Sequence, residues 1–164
     1  MESIPRPEHP NPQFERKSWR NLNGIWEFEI DKSNWGAERG FIEQEHFSQT
    51  ILVPFCPESP LSGVGITDFM EAVWYKRRFE LSEAEQSGSV LLHFGAADYE
   101  CTAYVNGQEA GTHRGGYASF AFDITAAVRT GENTVTVRAV DRTRSGLQPT
   151  GKQSEQAASH GCFY

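Results

Sequence analysis

The sequence predicts an all-β fold in which antiparallel strands form a sandwich. Between residues 89 and 141, apolar and polar residues alternate in short segments, which is the period of strands buried on one face. The pair Asn106-Gly107 separates two of these segments, and both residue types tolerate the positive φ of a type I′ hairpin turn. Glycines at Gly115-Gly116 and Gly131 mark the next turns. This pattern is typical of an antiparallel β-sandwich.

The first predicted strand covers residues 24–30. Its alternation predicts that Trp26, Phe28 and Ile30 face the core, with glutamates on the other face. A polar loop follows at residues 31–40.

Further segments continue the predicted order of elements. Residues 50–53 form a short strand, and residues 59–72 form a long irregular loop. Long loops in compact sandwiches commonly serve binding or docking. Residues 73–81 predict a strong strand and residues 82–88 a polar turn, and strand periodicity ends at residue 145.

The N-terminus is rich in proline, since residues 1–12 hold four of the eight prolines of the chain. Proline fixes φ and lacks a backbone donor, so we expect an extended surface arm, anchored by Phe14, Trp19 and Leu22. The chain therefore divides into an arm at residues 1–23 and a sandwich at residues 24–164. Such an arm could reach a neighbouring subunit and support a homo-oligomer.

Composition excludes two classes of partner. The 164 residues carry a formal charge of −7, and lysine and arginine are scattered, which excludes nucleic acid as a partner. Lys76-Arg77-Arg78 lies within a strand pattern, and we interpret it as a solvated sheet face. No apolar run approaches the roughly 20 residues of a membrane span.

The cysteines predict a reducing compartment and no metal. Cys56, Cys101 and Cys162 are odd in number and widely spaced, without the spacing of a zinc site, so we expect idle thiols and no cofactor. The N-terminus shows no secretory signal, which favours the cytoplasm. A signal removed from the start of the chain would leave the same sequence.

Several short motifs also occur along the chain in an order that resembles that of a known protein family. They are Leu22-Asn23-Gly24-Ile25-Trp26, Val73-Trp74-Tyr75, Tyr104-Val105-Asn106-Gly107, Gly115-Gly116-Tyr117, Phe122-Asp123-Ile124-Thr125 and Gly131-Glu132-Asn133. Taken together, the chain resembles the N-terminal domain of glycoside hydrolase family 2, which includes β-galactosidases and β-glucuronidases. The resemblance implies a jelly-roll sandwich of the galactose-binding type.

The resemblance further implies a non-catalytic domain of a longer β-glycosidase. Beyond Tyr164 it implies a final strand, an immunoglobulin-like domain and a barrel that carries both catalytic glutamates. The other domains of the same polypeptide would then be the principal partners. We interpret the carboxylates of this chain as surface charge, so we expect no hydrolysis by the chain alone. They include Glu27, Glu29, Glu43, Glu45, Glu83 and Glu85.

Five residues are candidates for contact with a β-linked sugar. By resemblance, Asp141 matches an acidic residue that binds substrate hydroxyls, and Glu58 and Ser59 belong to a loop on the side that faces the barrel. The alternatives are that Asp141 caps a turn and that the loop docks against another domain. Trp35 and Tyr117 lie in predicted loops, where an aromatic ring can meet a pyranose face.

Other classes of function remain open at this point. A stand-alone carbohydrate-binding module would use the same fold, because fold does not determine function. Such a module needs an exposed binding groove of its own, whereas an accessory domain should expose apolar patches where neighbouring domains dock. An interaction domain without a sugar role is a third class.

Overall fold

The computed structural model describes residues 4–7 and 18–149, which contain eight strands and almost no helix. The strands are β1 (Gly24–Asp31), β2 (Gln49–Val53), β3 (Ala72–Leu81), β4 (Leu91–Phe94), β5 (Glu100–Val105), β6 (Gln108–Arg114), β7 (Phe120–Asp123) and β8 (Gly131–Val140). A 3₁₀ turn occupies Pro60–Ser62, and one helical turn, α1, occupies Glu83–Gln86. The predicted all-β class is confirmed.

All strand pairings are antiparallel, and they form a sandwich of unequal layers. The larger sheet has six strands in the order β2-β1-β3-β8-β5-β6, and the smaller pairs β4 with β7. The main core lies between the two layers. The buried side chains at its centre are Trp26, Phe28, Ile51, Leu92, Cys101, Ala103, Val105, Ile124, Val135 and Val137. Trp26 and Phe28 are buried as predicted, and Ile30 is packed against them at the edge of this core.

The outer face of the larger sheet carries a second apolar cluster. Trp74 is fully buried there against Phe41 and Phe47, which come from the loop at residues 32–48. The ring of Phe41 meets Trp74 edge-on, with centroids 5.8 Å apart. We call residues 32–48 the outer loop. The outer loop covers part of the outer sheet face, which in many antiparallel sheets is exposed to water.

The prediction that the polar loop begins at Asp31 was wrong. Asp31 ends β1 and is only 1% exposed. Its carboxylate accepts hydrogen bonds from the backbone of Trp35 at 3.1 Å, the backbone of Gly36 at 2.6 Å and the indole Nε1 of Trp74 at 3.2 Å. Gly36 is required at this turn, because a Cβ there would lie 2.5 Å from Trp74 Nε1.

The interpretation of Lys76-Arg77-Arg78 as a solvated face was wrong for Lys76, which is 3% exposed. Its ammonium donates to the carbonyls of Phe41 and Ile42 at 3.3 Å each, and also to that of Gln44. Alternation along β3 places Lys76 on the same face as Trp74, where these carbonyls replace water. Lys76 therefore fastens the outer loop to the sheet.

Several glutamates that we predicted to be surface charge also accept hydrogen bonds from the backbone of neighbouring segments. Glu27 accepts a hydrogen bond from the backbone of Phe47 at 2.8 Å, and Glu29 accepts one from Ser48 at 3.0 Å. The polar turn predicted at residues 82–88 contains α1, whose start is capped reciprocally by Ser82 and Glu85.

The β5–β6 hairpin confirms the Asn106-Gly107 turn, with φ of 51° and 81°. The side-chain amide nitrogen of Asn106 also donates a hydrogen bond to Asn133 Oδ1 at 2.8 Å. The Oδ1 of Asn106 accepts a hydrogen bond from the backbone N–H of Thr134 at 3.0 Å. Asn133 is buried and uses its remaining capacity on the backbone of Arg129 and Gly131. This amide network ties the hairpin to the start of β8.

The N-terminal anchors divide into three cases. Leu22 packs against the main core as expected. Trp19 is 45% exposed and is not a buried anchor. Phe14, Cys162 and the last residues of the predicted sandwich, 150–164, lie outside the described residues, as does most of the arm. Within the described part, Asn23 donates to the carbonyl of Pro5 at 3.1 Å.

No helix among the described residues is long and apolar enough to cross a membrane.

Replacing Asn133 by alanine should lower the free energy of unfolding by about 3 kcal/mol, because it leaves several buried backbone and amide groups without partners. Urea denaturation measures the change. Glu132→Ala alters the exposed neighbouring residue and should shift stability by no more than about 0.5 kcal/mol. Equal effects of the two changes would contradict the structural role of the amide network.

Replacing Lys76 by methionine keeps most of the side-chain volume but removes the ammonium shared by three carbonyls. We expect a loss of about 1–3 kcal/mol in urea denaturation. Arg78→Met, on the same strand but at the surface, should cost no more than about 1 kcal/mol. A stable Lys76→Met protein with an unchanged outer loop would show that the lysine is dispensable.

Candidate functional site

One end of the larger sheet collects loops from five strands. The residues paired across the sheet at this end are Asp31, Ala72, Val140, Glu100 and Arg114. Because neighbouring strands are antiparallel, the chain leaves β1, β8 and β6 at this end and enters β3 and β5. We call it the loop end.

Three of the predicted site residues follow directly from these strand ends. Asp141 is the first residue after β8, Tyr117 lies three residues after β6, and Trp35 lies four residues after β1. The register therefore places at one end of the sheet residues that are up to 106 positions apart in the sequence, from Trp35 to Asp141. Sequence patterns identified them separately, and the sheet places them at one end.

Glu58 also lies close enough to Asp141 for their charges to interact, although the strand before Glu58 ends at the opposite end of the sheet. Burial raises the pKa of the Glu58 carboxyl, and the charge of Asp141 raises it further. A hydrogen bond with Cys56 acts in the other direction. The two predicted carboxylates thus lie close enough to repel each other.

The loop at residues 54–71 is held against the start of the loop that follows β8. The backbone N–H of Asp141 donates to the carbonyl of Glu71 at 3.0 Å. The side chain of Arg142 pairs with Glu71 at 3.0 Å, and the guanidinium of Arg144 lies 3.5 Å from the ring centre of Phe69. Asp141 and Glu58 therefore approach each other across a fastened junction.

The Asp141 carboxylate has a partner of its own, because the side-chain amide of Gln148 donates to its Oδ1. The same amide accepts a hydrogen bond from the backbone N–H of Arg142 at 3.2 Å. Gln148 therefore links the Asp141 carboxylate to the turn that follows it. Asp141 is half-buried, so part of its surface still faces solvent.

Ser59 has a structural task at this site. Its hydroxyl accepts a hydrogen bond from the backbone of Leu61 at 3.2 Å and caps the 3₁₀ turn, while its carbonyl accepts from Ser62 Oγ at 2.7 Å. This capping shapes the loop that carries Glu58.

Two aromatic candidates are exposed at the loop end. Trp35 is 65% exposed and Tyr117 is 53% exposed. The backbone of Trp35 is held by Asp31, so its ring stands on a fixed turn. Tyr117 follows Gly116, where a Cβ would lie 2.4 Å from the carboxylate of Asp98, so only glycine allows this approach.

The sequence analysis did not place Cys56, Asp98 or Arg138 near the loop end of the sheet. Burial and the charge of Glu58 raise the pKa of the Cys56 thiol, so it is a protonated partner rather than a nucleophile. The Cys56-Pro57-Glu58 segment gave no sequence signal of this contact. Within residues 4–7 and 18–149, no group of three or more histidine, cysteine or acidic residues is arranged to hold a metal ion.

Residues 19–148 match the family described as glycosyl hydrolases family 2, sugar binding domain. A β-galactosidase of Thermoanaerobacter pseudethanolicus is 29% identical over 133 residues, which are 80% of this chain and 16% of that protein. A β-glucuronidase of Paenibacillus borealis is 32% identical over 121 residues, which are 72% of this chain and 20% of that protein.

Solved structures agree with the sequence matches. The β-glucuronidase of Lactobacillus rhamnosus superposes with a TM-score of 0.65 at 32% identity, covering 74% of this chain and 21% of that one. A Bifidobacterium dentium β-glucuronidase, solved with coumarin-3-O-glucuronide, gives a TM-score of 0.65 at 29% identity and covers 73% and 19%. The chain thus spans 16–21% of the length of these four relatives.

Replacing Asp141 by asparagine should lower the pKa of the Glu58 carboxyl, because it removes a neighbouring negative charge. Carbon-detected NMR titration of the Glu58 side chain measures the shift. Glu83→Gln removes an exposed carboxylate on α1, at the opposite end of the sandwich, and it should leave this pKa unchanged. An equal shift in both variants would contradict the specific pairing of Glu58 with Asp141.

The raised pKa of Glu58 also has a consequence for stability. The folded protein holds this proton more tightly than the unfolded chain, whose carboxyl titrates near 4.5, so this group makes stability fall as the pH rises from about 4.5 through the folded pKa. Glu58→Gln should therefore remove that fall. Denaturation at a series of pH values measures it, and an unchanged pH profile would contradict the assignment.

Proposed function

Since the chain belongs to the sugar-binding domains of glycosyl hydrolase family 2, we propose that it is the non-catalytic N-terminal domain of a β-glycosidase of the β-galactosidase or β-glucuronidase type. The observation that carries this proposal is the family match over residues 19–148, together with the small share of the relatives that the chain spans. The remaining length of such relatives leaves room for a separate catalytic domain.

The chemistry of the loop end supports a binding role rather than a catalytic one. A retaining glycosidase needs two carboxyl groups about 5–5.5 Å apart, one acting as nucleophile and the other as acid and base. Glu58 and Asp141 are the adjacent carboxylates here, yet Glu58 is engaged with Cys56 and Asp141 with Gln148. These contacts suit groups held in position to accept hydrogen bonds.

Asp141 is the residue that we propose contacts substrate. A carboxylate accepts hydrogen bonds from two neighbouring sugar hydroxyls, and charge strengthens both. Burial and the charge of Asp141 raise the pKa of the neighbouring Glu58 carboxyl, so it takes up a proton more readily than an exposed glutamate. Ser59 supports this arrangement through the 3₁₀ turn, and Tyr117 offers an exposed ring at the same end.

A stand-alone carbohydrate-binding module is the second candidate, and the exposure of Trp35 and Tyr117 favours it. Binding by the isolated chain distinguishes the two. A titration with galactose, glucuronate and short oligosaccharides that gives sub-millimolar affinity would support the module. An accessory domain should bind free sugars only weakly, because the catalytic domain supplies most of the contacts.

The full-length enzyme should hydrolyse 4-nitrophenyl β-galactoside or β-glucuronide, whereas this chain alone should hydrolyse neither. Asp141→Asn in the full-length enzyme should lower kcat/KM by roughly 10–100-fold, because it removes charge-assisted hydrogen bonds to substrate. Steady-state kinetics measures both results. Glu83→Gln, an exposed carboxylate on α1 at the opposite end of the sandwich, is the matched control and should retain activity.

Turnover by the pure chain would overturn its non-catalytic assignment. Full activity of the Asp141→Asn enzyme would overturn the proposed contact while leaving the family assignment intact.

A further inference from the structure

The described part of the segment after β8 folds back toward the end of that strand. The backbone N–H of Ser145 donates to the carbonyl of Arg142 at 2.9 Å, and the backbone N–H of Leu147 donates to Ser145 Oγ at 3.2 Å. These two contacts close a tight turn. Gln148 is half-buried, whereas residues 144–147 before it are exposed. The side chain of Gln148 therefore turns back to the protein while its neighbours face solvent.

The side-chain amide of Gln148 uses both of its polar groups in this position. Its Nε2 donates to Asp141 Oδ1, and its Oε1 accepts from the backbone N–H of Arg142 at 3.2 Å. The second contact decides which way the amide points, because only the amide oxygen can accept from a backbone N–H. Gln148 thus presents a donor rather than an acceptor to the carboxylate of Asp141.

The backbone of Asp141 is held from the other side. Its N–H donates to the carbonyl of Glu71 at 3.0 Å, and the next residue, Arg142, pairs with the Glu71 side chain at 3.0 Å. These contacts fix the main chain of Asp141 but not the rotation of its carboxylate, since the last torsion of an aspartate side chain has a broad preference. The hydrogen bond from Gln148 acts directly on that rotation.

We propose that Gln148 is a positioning residue that fixes the carboxylate plane of Asp141 for contact with substrate. This proposal rests on the proposed function, in which Asp141 accepts hydrogen bonds from sugar hydroxyls. A carboxylate has about four acceptor positions, so one amide donor does not exhaust its capacity. A carboxylate that is already oriented loses less rotational freedom when substrate binds. Because the amide is neutral, it orients the carboxylate without cancelling its charge.

A structural role for Gln148, in which it only closes the turn after β8, is the alternative. The two roles differ in how they depend on Asp141. A positioning residue acts through the Asp141 carboxylate, so its removal has little further effect once that carboxylate is gone. A structural residue keeps its effect whether or not the carboxylate is present.

A double-mutant cycle in the full-length enzyme separates the two roles, with kcat/KM as the readout. Gln148→Leu removes the donor at similar size and should lower kcat/KM by about three- to tenfold, because the carboxylate must then be ordered by substrate. In the Asp141→Ala enzyme, the same change should alter kcat/KM by less than about twofold. Gln108→Leu, at an exposed glutamine of β6 at the opposite end of the sheet, is the matched control and should retain activity.

Gln148→Glu adds a readout that a structural role would not move. At neutral pH the introduced carboxylate repels Asp141 and cannot donate, so kcat/KM should fall at least as far as in Gln148→Leu. Repulsion also makes the introduced carboxyl take up a proton more readily, and it then donates again. The ratio of variant to wild-type kcat/KM should therefore rise as the pH falls from about 7 to about 5. Glu58, Glu71 and Arg142 are present in both enzymes, so their titration largely cancels in this ratio.

The isolated chain provides a measurement that does not depend on activity. The side-chain NH₂ resonances of Gln148 should shift in Asp141→Ala, because they lose their carboxylate acceptor. The corresponding resonances of Gln108 should stay in place. The backbone amide spectrum of each variant shows whether it is folded.

Equal losses from Gln148→Leu with and without the Asp141 carboxylate would overturn the inference. A Gln148→Glu ratio that does not change with pH, or unshifted Gln148 resonances in Asp141→Ala, would overturn it as well. Full activity of Gln148→Leu together with a loss in Asp141→Ala would overturn this inference and leave the proposed substrate contact intact. Full activity of Asp141→Ala would overturn both.

Discussion

The buried carboxylate of Asp31 is the contact on which the outer side of this domain depends. A buried carboxylate is stable only when its oxygens are occupied, and Asp31 receives the N–H groups of Trp35, Gly36 and Trp74. One side chain therefore closes the turn after β1 and fixes the indole of the neighbouring strand. Because the turn is closed in this way, Asn34 is held where it meets Arg138.

The covered outer face follows from the same arrangement. An antiparallel sheet commonly leaves one face to water, but here β3 directs Trp74 and Lys76 outward beneath the outer loop. Trp74 supplies apolar area to bury, and Lys76 supplies donors for carbonyls that lose their water. The two residues together explain why a polar, non-repetitive segment takes up a defined position on the sheet.

The two ends of the sandwich have different physical characters. At one end, Asn106 and Asn133 satisfy one another and the adjacent backbone, so the hairpin and β8 are tied together. At the loop end, Asp141 and Glu58 repel each other across a junction between two loops. The unfavourable pair of charges therefore lies where binding is proposed, and the satisfied amide network lies at the opposite end. That division is common in proteins, where binding groups sit in loops positioned by a rigid scaffold.

Local sequence was sufficient for the strands, the Asn106-Gly107 hairpin and the buried faces of Trp26 and Phe28. Alternation and turn chemistry depend on neighbouring residues only, so they can be seen without the fold. The motif residue Asn133 was identified from the sequence as well, but its buried amide network was not.

The tertiary structure alone decided what happens between distant segments. Asp31 and Lys76 are charged residues, and only the packing of the outer loop against the sheet buries them. Likewise, the approach of Glu58 to Asp141 and the contact of Arg138 with Asn34 result from register and loop docking. A charge can be buried only when partners from elsewhere in the chain replace its water, and a single sequence pattern does not contain those partners.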